Sequence, residues 1–413
     1  MMKNAFGTPD HRVVTLPSAT GFVPALEGFR AAAFLAVLTT HVAFQTGSHT
    51  GSMINRVWGR FDLSVAVFFA LSGFLLWRAH AIKARHGGSG TARPVRDYLR
   101  SRLARIMPAY LVTVAAVFVL LPSNTTASFW TWTANLTLTQ VFVPDSLVSG
   151  LTQAWTLSVE LAFYLALPLM WIALARLRGP AARWRIPVIA GVGVASLAWA
   201  LVPWYDLGLP EGVNDQILPP AFASWFAAGM VLAELSANPP GRLAALARHR
   251  HSRWGWWAVA AVAFAASTHP EWFTEGFVHP SGPEFATRTG IGAVVAFFML
   301  APAVLAPPGA RFPILGSTVL TTLGRWSYSL YLWHMLVLHF AFQITALPMF
   351  NGYMLEIWVV TVLVTTVLGA AGYALVEVPA QRWLAPRRVP RGRPADGQLA
   401  ATPAQTSPAT VAT

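Results

Sequence analysis

Apolar residues fall in blocks of about 20, the length that carries a helix across a hydrocarbon core. They occupy 23–45, 61–77, 106–122, 153–175, 186–204, 218–236, 254–268, 288–306, 320–345 and 355–378, the seventh being short for a span. Membrane strands would instead need alternating segments of about 10 residues. The pattern predicts an all-α fold: a polytopic membrane helix bundle of about ten transmembrane helices. It divides the chain into a segment at 1–22, a membrane domain at 23–384 and a tail at 385–413. The tail is rich in Arg, Pro, Ala and Thr, cannot bury a core, and is expected to be disordered. Residues 1–22 lack the compact apolar core of a signal peptide, so the first block is expected to remain as an uncleaved helix.

The polar breaks set an orientation. Lys and Arg concentrate in alternate breaks, most densely from Arg78 to Arg105, and again around Arg176–Arg185, Arg242–Arg253 and the tail. The intervening breaks carry Asp145, Asp206, Glu211, Asp215, Glu271, Glu275 and Glu284. With basic loops inside, both termini are cytoplasmic (N-in, C-in). The run from Arg96 to Arg105 reads as an amphipathic helix on the inner surface, after a Gly/Ser hinge at Gly87–Gly90.

Composition agrees and narrows the chemistry. The chain is 55% hydrophobic and 11% charged, against about 25% charged in soluble domains. Cysteine is absent, which excludes disulfides and thiolate chemistry. The net charge of +13 sits in loops flanking spans, as membrane topology requires, so nucleic acid is not an expected partner. No metal-ligating spacing, Walker loop or nucleophile elbow is present.

Ionisable side chains inside the blocks are costly and therefore informative. The first block carries Glu27, Arg30 and His41. At 100° per residue Arg30 and His41 share a face, about 16 Å apart along the axis. Glu160, in Trp155-Thr156-Leu157-Ser158-Val159-Glu160, lies at a depth similar to that of His41, so the two can pair. Such a pair either orients an imidazole base or simply joins two helices. Tyr328, Tyr331 and His334 recur at i, i+3 and i+6 and can line a polar cavity, or can be interfacial aromatics. Ser72-Gly73 suits close helix packing, Glu377 and Arg382 read as a structural pair, and His80, His249 and His251 read as solvated. Intramembrane charges also mark transport paths, so a transporter or flippase is the alternative. The lack of an internal repeat counts against it.

Five segments, in order, resemble the acyltransferase 3 family of bacterial membrane O-acyltransferases. They are Leu26-Glu27-Gly28-Phe29-Arg30 followed by His41; Phe68 to Leu75; Arg102-Leu103-Ala104-Arg105-Ile106-Met107-Pro108-Ala109-Tyr110; Trp155 to Tyr164; and Ser327 to His334. Glu27, Ala31 and Leu161-Ala162 depart from the family pattern. The resemblance is to the stand-alone form, without a fused extracellular domain. It implies an enzyme of the bacterial inner (cytoplasmic) membrane that moves an acyl group, acetyl or another short acyl, from acyl-CoA to a hydroxyl-bearing sugar, glycan or secondary metabolite. No permanently bound cofactor is implied; acyl-CoA, with acetyl-CoA foremost, is the donor. In that setting Arg102 and Arg105, with Arg96 and Arg100, are expected to hold the donor's phosphates. His41 is expected to act as base or acyl carrier with Glu160 orienting it, and Arg30 to steer the donor or stabilise charge developing on the thioester.

Overall fold

The structure, a computed structural model, describes residues 23–86, 94–237, 252–274, 278–307 and 309–384. The expected N-terminal segment, C-terminal tail, Gly/Ser hinge and His249 and His251 lie outside these residues. Each of the ten expected spans falls on a helix, and no strand occurs among the described residues. The chain forms an all-α membrane bundle.

Helix α1 (Pro24–Thr46) is followed by α2 (Met53–Arg60), a 3₁₀ turn at Phe61–Ser64 and α3 (Val65–His86). Then come α4 (Val95–Leu120), α5 (Phe129–Thr137), α6 (Trp155–Ala173), α7 (Arg185–Ala195) and α8 (Ala223–Ala237). The chain ends with α9 (Ser252–Ser267), α10 (Gly282–Val304), α11 (Thr318–Thr345), α12 (Met354–Gly372) and α13 (Val378–Leu384). Seven helical stretches among the described residues are long and apolar enough to cross a membrane. Helix α9 has only 16 residues. Helices α1 and α11, at 23 and 28 residues, are long enough but less apolar. Those two carry Arg30, His41, Tyr328, Tyr331 and His334. They pack on one another near the centre of the bundle, where α1 also meets α3, α10 and α12.

Small residues permit the close packing of α3 on α8. A Cβ added at Gly73 would meet the Phe226 carbonyl, and one at Gly229 the Ala70 carbonyl, so both positions need glycine. Beside this crossing Glu234 is fully buried. It accepts hydrogen bonds from Trp77 Nε1 (2.7 Å) and Arg185 Nε (2.6 Å) and pairs with Arg85 Nη2 (3.0 Å). The carboxylate thereby clamps α3, α7 and α8.

Four local expectations change. The Arg96–Arg105 run does not form a separate surface helix: it is the first part of α4, 26 residues long with Pro108 inside. Arg, Leu and Ala are strong helix formers, and nothing interrupts them before the apolar stretch. His80 is not solvated but stacks on Trp171, ring centres 4.0 Å apart. Glu377 does not pair with Arg382; it accepts from Ser329 Oγ (2.9 Å) and Gln381 Nε2 (3.1 Å). It closes a π-helical turn at Tyr373–Glu377, where Pro379, lacking an N–H, cannot continue the regular ladder. Ser72, finally, does more than pack.

Candidate active site

Two cavities lie back to back in the bundle. The first, of about 210 Å³, is bordered by Arg30 from α1, Ser72 from α3, Arg102 and Arg105 from α4, Glu160 and Tyr164 from α6, and Tyr328 from α11. The second, of about 230 Å³, is bordered by His41 from α1, Asp62 from the turn before α3, Asn214 and Gln216 from the loop before α8, and Arg288 from α10. Its apolar walls include Trp155, Phe222, Trp225 and Phe285. Val65, Thr156 and Tyr331 border both. The hydroxyls of Thr156 and Tyr331 bond each other at 2.9 Å, and each lies 3.0 Å from the Gln153 carbonyl.

The first cavity holds charge that is only partly paired. Arg30 Nη1 donates to Glu27 Oε1 one turn earlier on the same helix (2.8 Å), while Glu27 Oε2 is buried without a partner. Glu160 Oε1 accepts from Ser72 Oγ (2.7 Å) and Tyr164 OH (2.6 Å). Tyr328 OH donates to the Ile106 carbonyl at 2.7 Å, tying α11 to α4. Arg105 is exposed to the cavity and makes no hydrogen bond or ion pair among the described residues. It lies within electrostatic reach of Glu160, Glu377 and Glu27. A guanidinium presenting free donors at such a site matches a phosphate or carboxylate on a ligand.

The expected donor-binding arginines divide. Arg102 and Arg105, three residues apart, share a face of α4 and border the first cavity. Arg100 and Arg96 are exposed and border neither cavity. At 100° per residue they point about 140° and 180° away from Arg105.

The expected pairing of His41 with Glu160 does not form. Glu160 is engaged with Ser72 and Tyr164 in the first cavity, whereas His41 borders the second and makes no hydrogen bond among the described residues. Trp155 and Thr156, at the head of α6 and about one turn before Glu160, are the α6 residues that reach the His41 side. Helix α6 therefore places its carboxylate one turn, about 6 Å, too deep. Tyr328 and Tyr331 border cavities as expected, but His334 borders neither. It is fully buried behind His41, with ring centres 5.2 Å apart, and bonds the Tyr331 carbonyl through Nδ1 (2.6 Å). Because a carbonyl only accepts, Nδ1 carries the proton. That leaves Nε2 as a buried acceptor without a partner.

The sequence reading missed Ser72 as a ligand of Glu160, and missed Asp62, Arg288, Asn214 and Gln216. Asp62 and Arg288 form an ion pair between the turn before α3 and helix α10. The signal for Asp62 was available, since a carboxylate stands at the head of an apolar block. Asn214 and Gln216 come from a loop whose folding back onto the bundle no periodicity announces.

The fold and this site define a multi-pass membrane enzyme. The chain belongs to the acyltransferase family: the model of that family's acyltransferase domain matches residues 23–375, and the protein is an acyltransferase of the non-aminoacyl kind. It is 29% identical to acyltransferase MdmB of Streptomyces mycarofaciens over 403 residues, covering 91% of this chain and 94% of the relative. It is 28% identical to exopolysaccharide production protein ExoZ of Rhizobium meliloti, covering 85% and 97%. It is 23% identical to peptidoglycan O-acetyltransferase OatA of Listeria monocytogenes, covering 87% of this chain and 56% of the relative. No solved structure matches the chain.

Proposed function

We propose that this acyltransferase takes an acyl group from acyl-CoA in the first cavity and delivers it to a hydroxyl of a sugar, glycan or secondary metabolite in the second. The observation that carries the reading is the division of charge. The cavity bordered by Arg30, Arg102 and Arg105 suits a polyanionic donor. The other, bordered by His41, amides, aromatic rings and the mutually paired Asp62 and Arg288, carries no unpaired formal charge and suits an uncharged hydroxylic acceptor. The cationic cavity faces the cytoplasm in this reading, both termini being inside a bacterial inner membrane, because the basic breaks of the sequence lie at that end.

Arg102 and Arg105 hold the donor's phosphates, and Arg30 carries positive charge further along the path. The extended arm of the donor then reaches past Tyr328 toward the boundary formed by Val65, Thr156 and Tyr331. The 16 Å or so between Arg30 and His41 is of the order of that arm. At the boundary His41 removes the proton from the acceptor hydroxyl. The oxygen attacks the thioester carbonyl, the C–S bond breaks, and the thiolate leaves with the proton returned by the imidazolium. Route through an acyl-imidazole would use the same residue as nucleophile.

The absence of cysteine makes the test clean, because any free thiol released comes from the donor. Purified protein in proteoliposomes is given acetyl-CoA labelled in the acetyl group together with a panel of neutral sugars and polyols. Thiol release coupled to label on an acceptor supports the reading; an intact thioester across a panel of acyl-CoA donors, with label merely moved across the bilayer, contradicts it.

A further inference from the structure

The proposed transfer leaves His41 without the carboxylate expected for it, and the structure offers another. We propose that Asp62, anchored by Arg288, is the positioning residue for His41; this rests on the reading of His41 as the residue that handles the acceptor's proton.

Three observations converge on Asp62. It borders the same cavity as His41, and Arg288 completes that part of the wall. Thr40 Oγ1, from the residue before His41, donates to the Gly59 carbonyl at 2.8 Å, which ties the segment leading to Asp62 against α1. The carboxylate acting on His41 through space is that of Asp62, whereas Glu160 acts on Arg30 and Arg105 in the other cavity. Asp62 also has a free hand. Its Oδ2 is bound by Arg288, while Oδ1 is buried with no hydrogen-bond partner. A carboxylate with one oxygen committed to a guanidinium keeps its rotamer. The uncommitted oxygen then stabilises the imidazolium that forms as His41 takes the acceptor's proton, and favours one ring orientation while it does so. Asp62 itself gains no proton and breaks no bond.

A tie between α10 and the turn before α3 would place the same two residues together for a purely structural reason, so the test separates charge near His41 from the tie. Initial rates of acetyl transfer are measured on purified protein with acetyl-CoA and an acceptor that the wild type uses. Asp62→Asn is expected to lower kcat by about 100-fold while leaving the KM for acetyl-CoA within about twofold. Arg288→Gln breaks the same ion pair but keeps the carboxylate, and is expected to cost only about fivefold; Asp62→Glu should recover part of the loss. Equal losses in Asp62→Asn and Arg288→Gln, or a wild-type kcat in Asp62→Asn, overturn the assignment. If Asp62→Asn does not yield folded protein, the exchanged pair Asp62→Arg with Arg288→Asp restores the tie and removes the carboxylate from its place. A folded but inactive exchange supports the proposal, and an active one overturns it. A wild type that transfers acetyl to no acceptor and releases no thiol would refute the underlying reading and not this assignment, since the variants are scored only against an active parent.

Discussion

Two clusters of charge sit inside the bundle, and they are built on opposite plans. Around Glu234 every charged group is bonded: the carboxylate is fully buried and takes bonds from Trp77, Arg85 and Arg185, and the two guanidinium groups also donate to the Ala182 and Leu174 carbonyls. Around Glu160 charge is left over. Arg105, on the cavity wall, has no bonded partner among the described residues, and one oxygen of Glu27, the partner of Arg30, is orphaned. A saturated cluster holds helices together; an unsaturated one beside open space can take a ligand. The presence of charge in a membrane helix does not by itself separate the two cases. Counting partners does.

Breaking the closed cluster should have the largest effect. Glu234→Ala leaves two guanidinium groups buried without their carboxylate, a loss of roughly 3–5 kcal/mol. It is expected to reduce the yield of folded protein and to lower the unfolding temperature in detergent sharply. The open cluster should answer differently. Arg102→Ala with Arg105→Ala is expected to leave the unfolding temperature nearly unchanged and to raise the KM for acyl-CoA by about 100-fold, each cation supplying charge-assisted bonds to the donor. A collapse of stability in that double variant would place Arg105 with the structural cluster after all. Glu160→Ala removes the acceptor shared by Ser72 and Tyr164, and is expected to raise the donor KM about tenfold with a smaller change in kcat. That is the reverse of the split expected at Asp62. Arg96→Ala with Arg100→Ala should be nearly silent, within about twofold in either parameter, because both side chains face away from the cavity. A large rise in donor KM there would mean that the donor reaches over the outside of α4.

What the sequence discloses follows from the same physics. Apolar block length located the helices, because the bilayer sets the length of a span regardless of neighbours. Residue counting along an axis placed Arg30 and His41 on one face of α1, and Arg102 with Arg105 on one face of α4. Rotation about the axis relative to other helices is different, because packing decides it. Depth alone suggested His41 with Glu160, yet Trp155 and Thr156 are the α6 residues that reach the His41 side. The same limit hid the clamp at Glu234, whose partners come from two other helices. It also left Asp62 unremarked, since the importance of Asp62 depends on a 3₁₀ turn docking against α1. The Arg96–Arg105 run was misjudged for a local reason: a basic stretch reads as surface, while the helix that carries it continues into the bundle.

In the proposed transfer, donor in the first cavity and acceptor in the second meet at one reacting residue, His41. The most direct measurement is acetyl transfer by His41→Ala, with the amount of folded membrane protein and the binding of acyl-CoA followed in the same preparation. Normal folding, donor binding within about twofold of wild type, and turnover reduced by at least about 1,000-fold are expected. Retained turnover in a folded His41→Ala protein would contradict this role for His41.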